Sequence, residues 1–230
     1  MEEILSQLDE LYPIIQTQLE MLRDNGYNLT SDELKLIHST EDEKKYNNFI
    51  TTYANKFINE TNEKKYVTIY EMFSRRFTKR NSSDTFVYYL DPKINKGKDV
   101  NIQDVKNLIY FLGIVPTDIL FITKTKLNKS AGDELRKFNY RHFLFTELQY
   151  NVTKHILSPK YELLDDAQKI LFLRSNDIED PEKIPKIKDD DMITRYYNAK
   201  LGQIFRITQS IVFYESIVKK RMGYRIVTDS

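Results

Sequence analysis

A chain of 230 residues with 40% hydrophobic content can bury a real core, and its length suits one large or two modest domains. Its 35 basic and 34 acidic side chains leave a formal net charge of +1, which excludes a free-standing nucleic-acid binder of the polybasic type. The absence of cysteine excludes disulfides, thiolate catalysis and cysteine-ligated zinc, and no run approaches the roughly 20 apolar residues that cross a bilayer, so we expect a soluble, intracellular protein.

The first residues have the pattern of a long amphipathic helix. Apolar residues recur at spacings of three and four from Ile4 to Leu22, which places them on one helical face, and Gly26 is suited to end the helix. Thr30 is followed three residues later by Glu33, a capping-box pattern at the start of a second helix. We therefore expect an N-terminal helical hairpin.

Helices and strands alternate through the next part. The pattern predicts a helix around residues 49–58, a β-rich stretch at 66–70 and a buried strand at 86–90. A helix at 101–112, which Gly113 can cap, is followed by a second buried strand at 118–123. This order predicts a parallel strand pair with a right-handed crossover.

The remaining pattern divides the chain into two domains. A helix at 131–138 and a strand at 142–145 complete the first, and we place the boundary near Val152. The second has a helical pattern at 165–173, and Gly202 permits a tight turn into a strand at 203–207. The predicted fold is an α/β domain at 1–152, with a helical hairpin and a small mixed sheet, followed by a compact α+β domain at 153–230.

The residue types that carry catalysis do not form a known active-site motif. His38, His142 and His155 are far apart and lack a second ligand at helical spacing, and the six glycines form no phosphate-binding loop. Asp91 and Lys93 have the spacing of a nuclease core, where such a pair holds a metal-bound water, although Pro92 interrupts the strand that must aim both side chains. We expect no enzymatic activity, and keep a metal-dependent nuclease as an alternative hypothesis.

Two basic clusters are candidates for contact with phosphates, one at residues 75–80 and one at 124–130. Lysine and arginine beside the phosphate backbone position a duplex without reading its sequence. The other interpretation of each cluster is a solvated loop, and composition alone does not separate the two.

Three segments in order resemble one protein family. Residues 184–207 are similar, without a gap, to a segment of the fifth subunit of eukaryotic nuclear RNA polymerases and its archaeal counterpart that reads roughly L-P-R-I-x-x-x-D-P-x-A-R-Y-x-G-x-K-x-G-Q-V-V-K-I. Residues 157–161 stand where the family has V-P-K/E-H, and residues 19–34 are similar to its first helical hairpin. The chain is therefore identified as a member of this family.

The resemblance implies a noncatalytic subunit of a multisubunit DNA-directed RNA polymerase that acts in transcription. The N-terminal domain would be a jaw near downstream double-stranded DNA, and the C-terminal domain would assemble with the largest subunit and other core subunits in a hetero-oligomer. This chain would bind no cofactor, because magnesium belongs to the large catalytic subunits. It would also bind no membrane. A transient polymerase-binding adaptor is the main alternative.

The resemblance also implies site residues. The family loop M-T-P-S-A aligns with residues 127–131, so the implied nucleic-acid contacts are Lys124, Lys126, Asn128, Lys129 and Ser130. The positions that match the C-terminal pattern are the implied subunit interface: Pro159, Lys160, Pro185, Lys186, Arg195, Tyr196, Lys200, Gln203, Arg206 and Arg225.

The chain departs from the family after Ile207. The family continues I-R-P-S-E-T through a turn, whereas this chain has a slightly longer and different connection before Tyr224 and Arg225. The altered turn and Met192 in place of the family proline indicate a divergent member, such as a subunit from a large DNA virus. The expected location is the nucleus for a cellular eukaryotic protein, and the host cytoplasm or virion for a viral one.

Overall fold

A computed structural model describes residues 2–38, 42–62, 68–79, 84–96, 98–111, 118–138, 140–213 and 216–229. The chain forms two compact units, Met1–Tyr150 and Asn151–Ser230. Within the described ranges, no helix is long and apolar enough to cross a membrane.

The first unit contains seven helices within its described residues. Their bounds are α1 Glu2–Asp24, α2 Ser31–His38, α3 Asp42–Asn62, α4 Ile69–Phe73, α5 Ile102–Phe111, α6 Lys129–Lys137 and α7 Phe145–Leu148. The predicted helical hairpin is thus present as α1 and α2. Leu112 and Gly113, the expected end of α5 and its cap, lie outside the described residues.

Helix α1 ends where the sequence predicts, through a glycine in the left-handed conformation. Gly26 has φ of +80°, its N–H donates to the Arg23 carbonyl at 2.8 Å, and the Tyr27 N–H donates to the Leu22 carbonyl at 2.9 Å. These two bonds satisfy carbonyls that the last helical turn leaves open. The Thr30 and Glu33 capping box is also present, because the Thr30 N–H donates to the Glu33 carboxylate at 2.7 Å.

The sheet of the first unit is mixed, in the order β1-β2-β3-β4. Its strands are β1 Arg75–Phe77, β2 Thr85–Tyr89, β3 Asp118–Thr123 and β4 Arg141–Leu144. β1 is antiparallel to β2, whereas β2, β3 and β4 are parallel. The predicted parallel strand pair is confirmed, and every residue of β3 is buried, as is usual for a central strand of a parallel sheet.

The strand expected at 66–70 is wrong for the residues that the structure describes. Residues 69–73 form α4, and Thr68 is its N-cap. The Glu71 N–H donates to the Thr68 hydroxyl at 3.2 Å, and the Thr68 N–H donates to the Glu71 carboxylate at 3.2 Å. This capping box prevails over the β propensity of the tyrosine and isoleucine side chains.

The second unit is a four-stranded sheet with a helix over each face. The strands are β5 Lys160–Leu163, β6 Lys186–Lys188, β7 Ile204–Phe213 and β8 Ser216–Thr228, in the order β5-β7-β8-β6, and only the β6–β8 pair is parallel. Helix α8, Asp166–Ser175, packs over one face through Phe172 and Leu173. Helix α9, Met192–Tyr196, packs over the other through Ile193. Short 3₁₀ turns occupy Val152–Lys154 and Pro181–Lys183.

The connection after Ile207 is a strand and not a turn, which corrects the sequence-based expectation. β7 continues to Phe213 and pairs with β8 as far as Ser216. Residues 214–215 lie outside the described ranges. Upstream, Gly202 forms the predicted turn with φ of +79°, and its N–H donates to the Val227 carbonyl at 2.9 Å.

Candidate nucleic-acid and subunit interfaces

The basic loop at residues 124–130 is held firmly by backbone bonds. The Val100 N–H donates to the Lys126 carbonyl at 2.8 Å, and the Asn128 N–H donates to the Val100 carbonyl at 2.9 Å. The Thr123 hydroxyl donates to the Thr125 carbonyl at 2.6 Å, and the Asn95 amide donates to the Thr125 hydroxyl at 2.8 Å. The loop therefore presents its side chains from a fixed backbone.

The side chains of this loop have different roles. Lys124 forms an ion pair with Glu10 of α1 at 2.5 Å. Asn128 is the N-cap of α6, because its side-chain oxygen accepts from the Ala131 N–H at 2.8 Å. Lys126, Lys129 and Ser130 remain exposed. Two exposed lysines and a hydroxyl beside the amino end of a helix suit an anionic group such as phosphate.

The described side chains of the other basic cluster make contacts within the first unit. Arg75 forms an ion pair with the buried Glu33, and its guanidinium lies 4.5 Å from the centre of the Phe77 ring. Lys79 lies over the Tyr27 ring at 5.6 Å. Arg80, the last residue of the cluster, lies outside the described residues. The structural interpretation is therefore favoured for the described part of this cluster.

The Asp91 and Lys93 pair proposed for the nuclease alternative has structural partners. The Asp91 carboxylate accepts from the Lys93 N–H at 2.8 Å, which forms a local turn. The Lys93 ammonium forms an ion pair with Glu3 at 2.6 Å. Across the described ranges, no group of three or more histidine, aspartate or glutamate side chains could hold a metal ion.

The candidate interface residues of the second unit differ in exposure. Lys160, Pro185, Lys186, Lys200 and Arg225 are exposed, whereas Pro159, Arg195, Gln203 and Arg206 are partly buried. Tyr196 is fully buried, and its hydroxyl accepts from the Asn151 amide at 3.0 Å. The implied interface role of the Tyr196 side chain is therefore corrected, because it packs inside the unit.

Arg206 and Arg225 each have a partner within the sheet. Arg206 donates to both carboxylate oxygens of Glu162, at 3.2 and 2.7 Å, across the β5–β7 pair. These bonds hold the pKa of Glu162 below its usual range and raise the pKa of Arg206. Arg225 donates to the Lys186 carbonyl at 2.9 Å. Both arginines thus also stabilise the fold.

Sequence reasoning missed a set of exposed apolar side chains in the second unit. Ile156 and Leu157 are 84% and 76% exposed, and Ser158 separates them from Pro159. Ile170, Leu171 and Leu201 are exposed as well. The run Ile170 to Leu173 carried the signal, because four consecutive apolar residues on one helix cannot all face its own core.

Comparison with known proteins places the second unit among polymerase subunits. The family model described as RNA polymerase Rpb5, C-terminal domain, matches residues 150–227. The chain is 27% identical over 218 residues to DNA-directed RNA polymerase subunit 5-like protein 1 of Arabidopsis thaliana, which is 91% of this chain and 93% of that protein. It is 28% identical over 114 residues to DNA-directed RNA polymerases IV and V subunit 5B of the same plant, about half of each chain.

An archaeal protein is similar to a shorter part of the chain. DNA-directed RNA polymerase subunit Rpo5 of Saccharolobus solfataricus is 41% identical over 67 residues, which is 29% of this chain and 79% of the archaeal protein. The archaeal protein is thus matched over most of its length, by less than a third of this chain.

Proposed function

The chain belongs to the RNA polymerase Rpb5 family, and from this membership we propose that it is a noncatalytic subunit of a multisubunit DNA-directed RNA polymerase and acts in transcription. The observation that carries the proposal is the family match over residues 150–227, which corresponds to the compact unit Asn151–Ser230. The chemistry of nucleotide addition, with its magnesium ions, belongs to the large subunits in this proposal. The chain works inside the cell that carries the polymerase.

The second unit is the proposed assembly domain, which docks on the largest subunit. The exposed candidates for this contact are Lys160, Pro185, Lys186, Lys200 and Arg225, and the partly buried ones are Pro159, Arg195, Gln203 and Arg206. The exposed Ile156 and Leu157 beside Pro159 support docking, because such an apolar pair is stabilised when a partner covers it.

Deletion of residues 153–230 tests the assembly proposal. The tagged chain, purified from its native source through a high-salt wash, is expected to retain both large polymerase subunits at one copy each, and the deleted chain is expected to lose them. Incorporation of the deleted chain would contradict the assembly role. Recovery of the intact chain without the large subunits, or with regulators only, would favour the transient adaptor.

The first unit is the proposed jaw domain, and the basic loop is its proposed contact with downstream DNA. Lys126, Lys129 and Ser130 are exposed on a fixed backbone, and Lys124 is close to them in sequence although it is paired with Glu10. Asn128 contributes by fixing the start of α6, because its side chain is engaged in the N-cap.

Changing Lys126 and Lys129 to alanine tests the DNA contact in the assembled polymerase. Each lost phosphate contact is expected to reduce the salt slope of downstream DNA binding by roughly one. Lys56 to alanine with Arg76 to alanine is the matched control, since it removes two exposed cations of the first unit outside the loop. An unchanged salt slope in the Lys126 and Lys129 variant would contradict the jaw contact.

A further inference from the structure

The distal end of the second sheet is a two-stranded ribbon with free edges. β5 pairs with β7 only from Phe205 to Thr208, and β6 pairs with β8 only from Ile226 to Thr228. β7 and β8 continue together past both partners. Within the described residues, no other strand pairs with β8 between Lys220 and Arg225. A ribbon of this kind is marginally stable alone, because one strand pair buries little surface.

The hydrogen bonds near the base of the ribbon reveal which backbone groups face outward. The Val227 N–H donates inward to the Gln203 carbonyl, whereas the Ile226 N–H donates outward to the Pro185 carbonyl. Antiparallel pairs alternate in this way along the strand. The peptide groups of Lys220, Met222 and Tyr224 therefore face the free edge of β8, and those of Arg221 and Gly223 face β7.

The same edge is basic. Lys220 and Arg221 are exposed, and as consecutive strand residues they project to opposite faces of the ribbon. Lys220 pairs across the ribbon with Ser210, and Arg221 pairs with Gln209. In the next row of paired residues, Met222 of β8 lies opposite Thr208 of β7, which in turn pairs with Lys160 of β5. These three rows contain no carboxylate. The nearest one in register, Glu162, is already held by Arg206.

We propose that the free edge of β8 at residues 220–224 binds an extended acidic segment of another protein as an added β-strand. The outward amides and carbonyls supply the ladder bonds, and Lys220 and Arg221 flank the added strand from both faces. The exposed charges of Lys220 and Arg221 supply selectivity for glutamate and aspartate. Met222, which is 65% exposed, gains an apolar neighbour on the same edge.

The backbone geometry favours a polypeptide over a nucleic acid. A phosphate chain would use Lys220, Arg221 and the outward N–H groups, but it has no donor for the outward carbonyls and no apolar group for the Met222 side chain. A second interpretation is that the cations only protect the edge against pairing with other strands, as lysine does on many sheet edges. The binding experiment distinguishes strand addition from nucleic-acid binding and from edge protection.

The binding test uses the full chain and three labelled probes in fluorescence anisotropy. One is a ten-residue peptide in which glutamate alternates with valine and threonine, the second has lysine in place of glutamate, and the third is a 20-base-pair DNA duplex. The acidic peptide is expected to bind at least about tenfold more tightly than the basic peptide, and more weakly at high salt. Absence of binding by the acidic peptide, as edge protection alone predicts, overturns the proposal. Changing Lys220 and Arg221 together to alanine confines the comparison to this edge, and a variant that loses affinity for the duplex but keeps affinity for the acidic peptide also overturns it.

Three variants separate the backbone contribution from the side chains. Met222→Pro removes an outward N–H, whereas Met222→Ala keeps it. The proline variant is therefore expected to bind the acidic peptide about tenfold more weakly than the alanine variant. Ser210→Pro is the matched control, because the Ser210 N–H faces the opposite edge of the ribbon, so peptide binding should be retained. Equal binding by the proline and alanine variants at position 222 overturns strand addition.

Hydrogen exchange on the unmodified chain provides a measurement that does not depend on variants. Bound acidic peptide is expected to slow exchange at the amides of Lys220, Met222 and Tyr224, with little change at Arg221 and Gly223, which are bonded already. Uniform protection or none overturns the proposal. The result is independent of the assembly role, because the free chain binds the peptide before any polymerase subunit is present.

Discussion

At the residue scale, two buried charges of the first unit lie at the beginning of its parallel strands. Asp118 begins β3, Arg141 begins β4, and the two side chains form an ion pair at 2.6 Å with exposures of 7% and 5%. The pKa of Tyr27 is raised by burial and by the Asp118 carboxylate. A charge so deeply buried is tolerated only while its partner stays in place.

Asp118→Ala is expected to lower the free energy of unfolding by about 3–5 kcal/mol, because it leaves the buried Arg141 cation without its counter-charge. Urea denaturation followed by circular dichroism measures the change. Asp84→Ala is the control, since Asp84 pairs at 3.9 Å with the largely exposed Arg76, and its loss should cost under about 1 kcal/mol. Equal losses of unfolding free energy in the two variants would contradict the expectation that the buried ion pair contributes more than the exposed one.

A second residue-scale prediction concerns alkaline pH. Burial raises the pKa of Tyr70 to about 12, while an unfolded tyrosine titrates near 10. The protonated form is therefore favoured in the fold, so its contribution is complete below about pH 10 and is lost as pH rises toward 12. Tyr70→Phe should make the fall of unfolding free energy above pH 10 less steep, and the exposed Tyr110→Phe should not.

At the element scale, helix ends are fixed by single side chains or a single glycine. Thr68 and Glu71 begin α4, Asn128 begins α6, and Gly26 closes α1. Each satisfies backbone groups that a helix cannot satisfy internally. These positions set where the elements stop and therefore how the loops between them run.

The same substitution at two glycines is expected to have opposite effects. Gly26 has φ of +80°, a left-handed conformation in which an alanine Cβ crowds the backbone. Gly26→Ala should therefore destabilise the chain by about 1–2 kcal/mol. Gly132 lies inside α6, and an added Cβ there meets no heavy atom within 4 Å. Gly132→Ala should therefore stabilise by about 0.5–1 kcal/mol. Thermal unfolding of both variants measures the two signs, and a shared sign would contradict this account.

At the scale of the whole molecule, each unit has its own core. The second unit packs Ile204 and Ile226 on one face of its sheet and Phe205 and Val227 on the other. Two apolar layers on one sheet provide the basis for independent folding. The division therefore has a direct consequence for isolated fragments.

Residues 151–230 expressed alone are expected to unfold in one cooperative transition in urea, with dispersed amide signals in nuclear magnetic resonance spectra. Residues 1–150 expressed alone form the corresponding test of the first unit. Agreement of each midpoint with a transition of the full chain would establish two autonomous domains. A fragment without a cooperative transition would show that its core requires the other unit.

Local signals explain what could be predicted from the sequence. The period of α1, the capping box at Thr30 and the apolar run of β3 each specify an element from neighbouring residues alone. The pairing of Arg206 with Glu162 and the burial of Tyr196 depend on strand register and tertiary packing, which neighbouring residues do not encode. Helix α4 has its capping box in the sequence, but the β propensity of its tyrosine and isoleucine residues conceals that signal.

The packing of α1 against α7 has a consequence for synthesis on the ribosome. Helix α1 leaves the exit tunnel before the other elements of the first unit, whereas α7 is the last described element of that unit to be translated. The apolar face of α1, with Leu8, Leu11 and Leu22, therefore stays without part of its native cover while the intervening chain is made. Non-local closure of this kind slows folding, so the apolar face of α1 stays incompletely covered until α7 has been made.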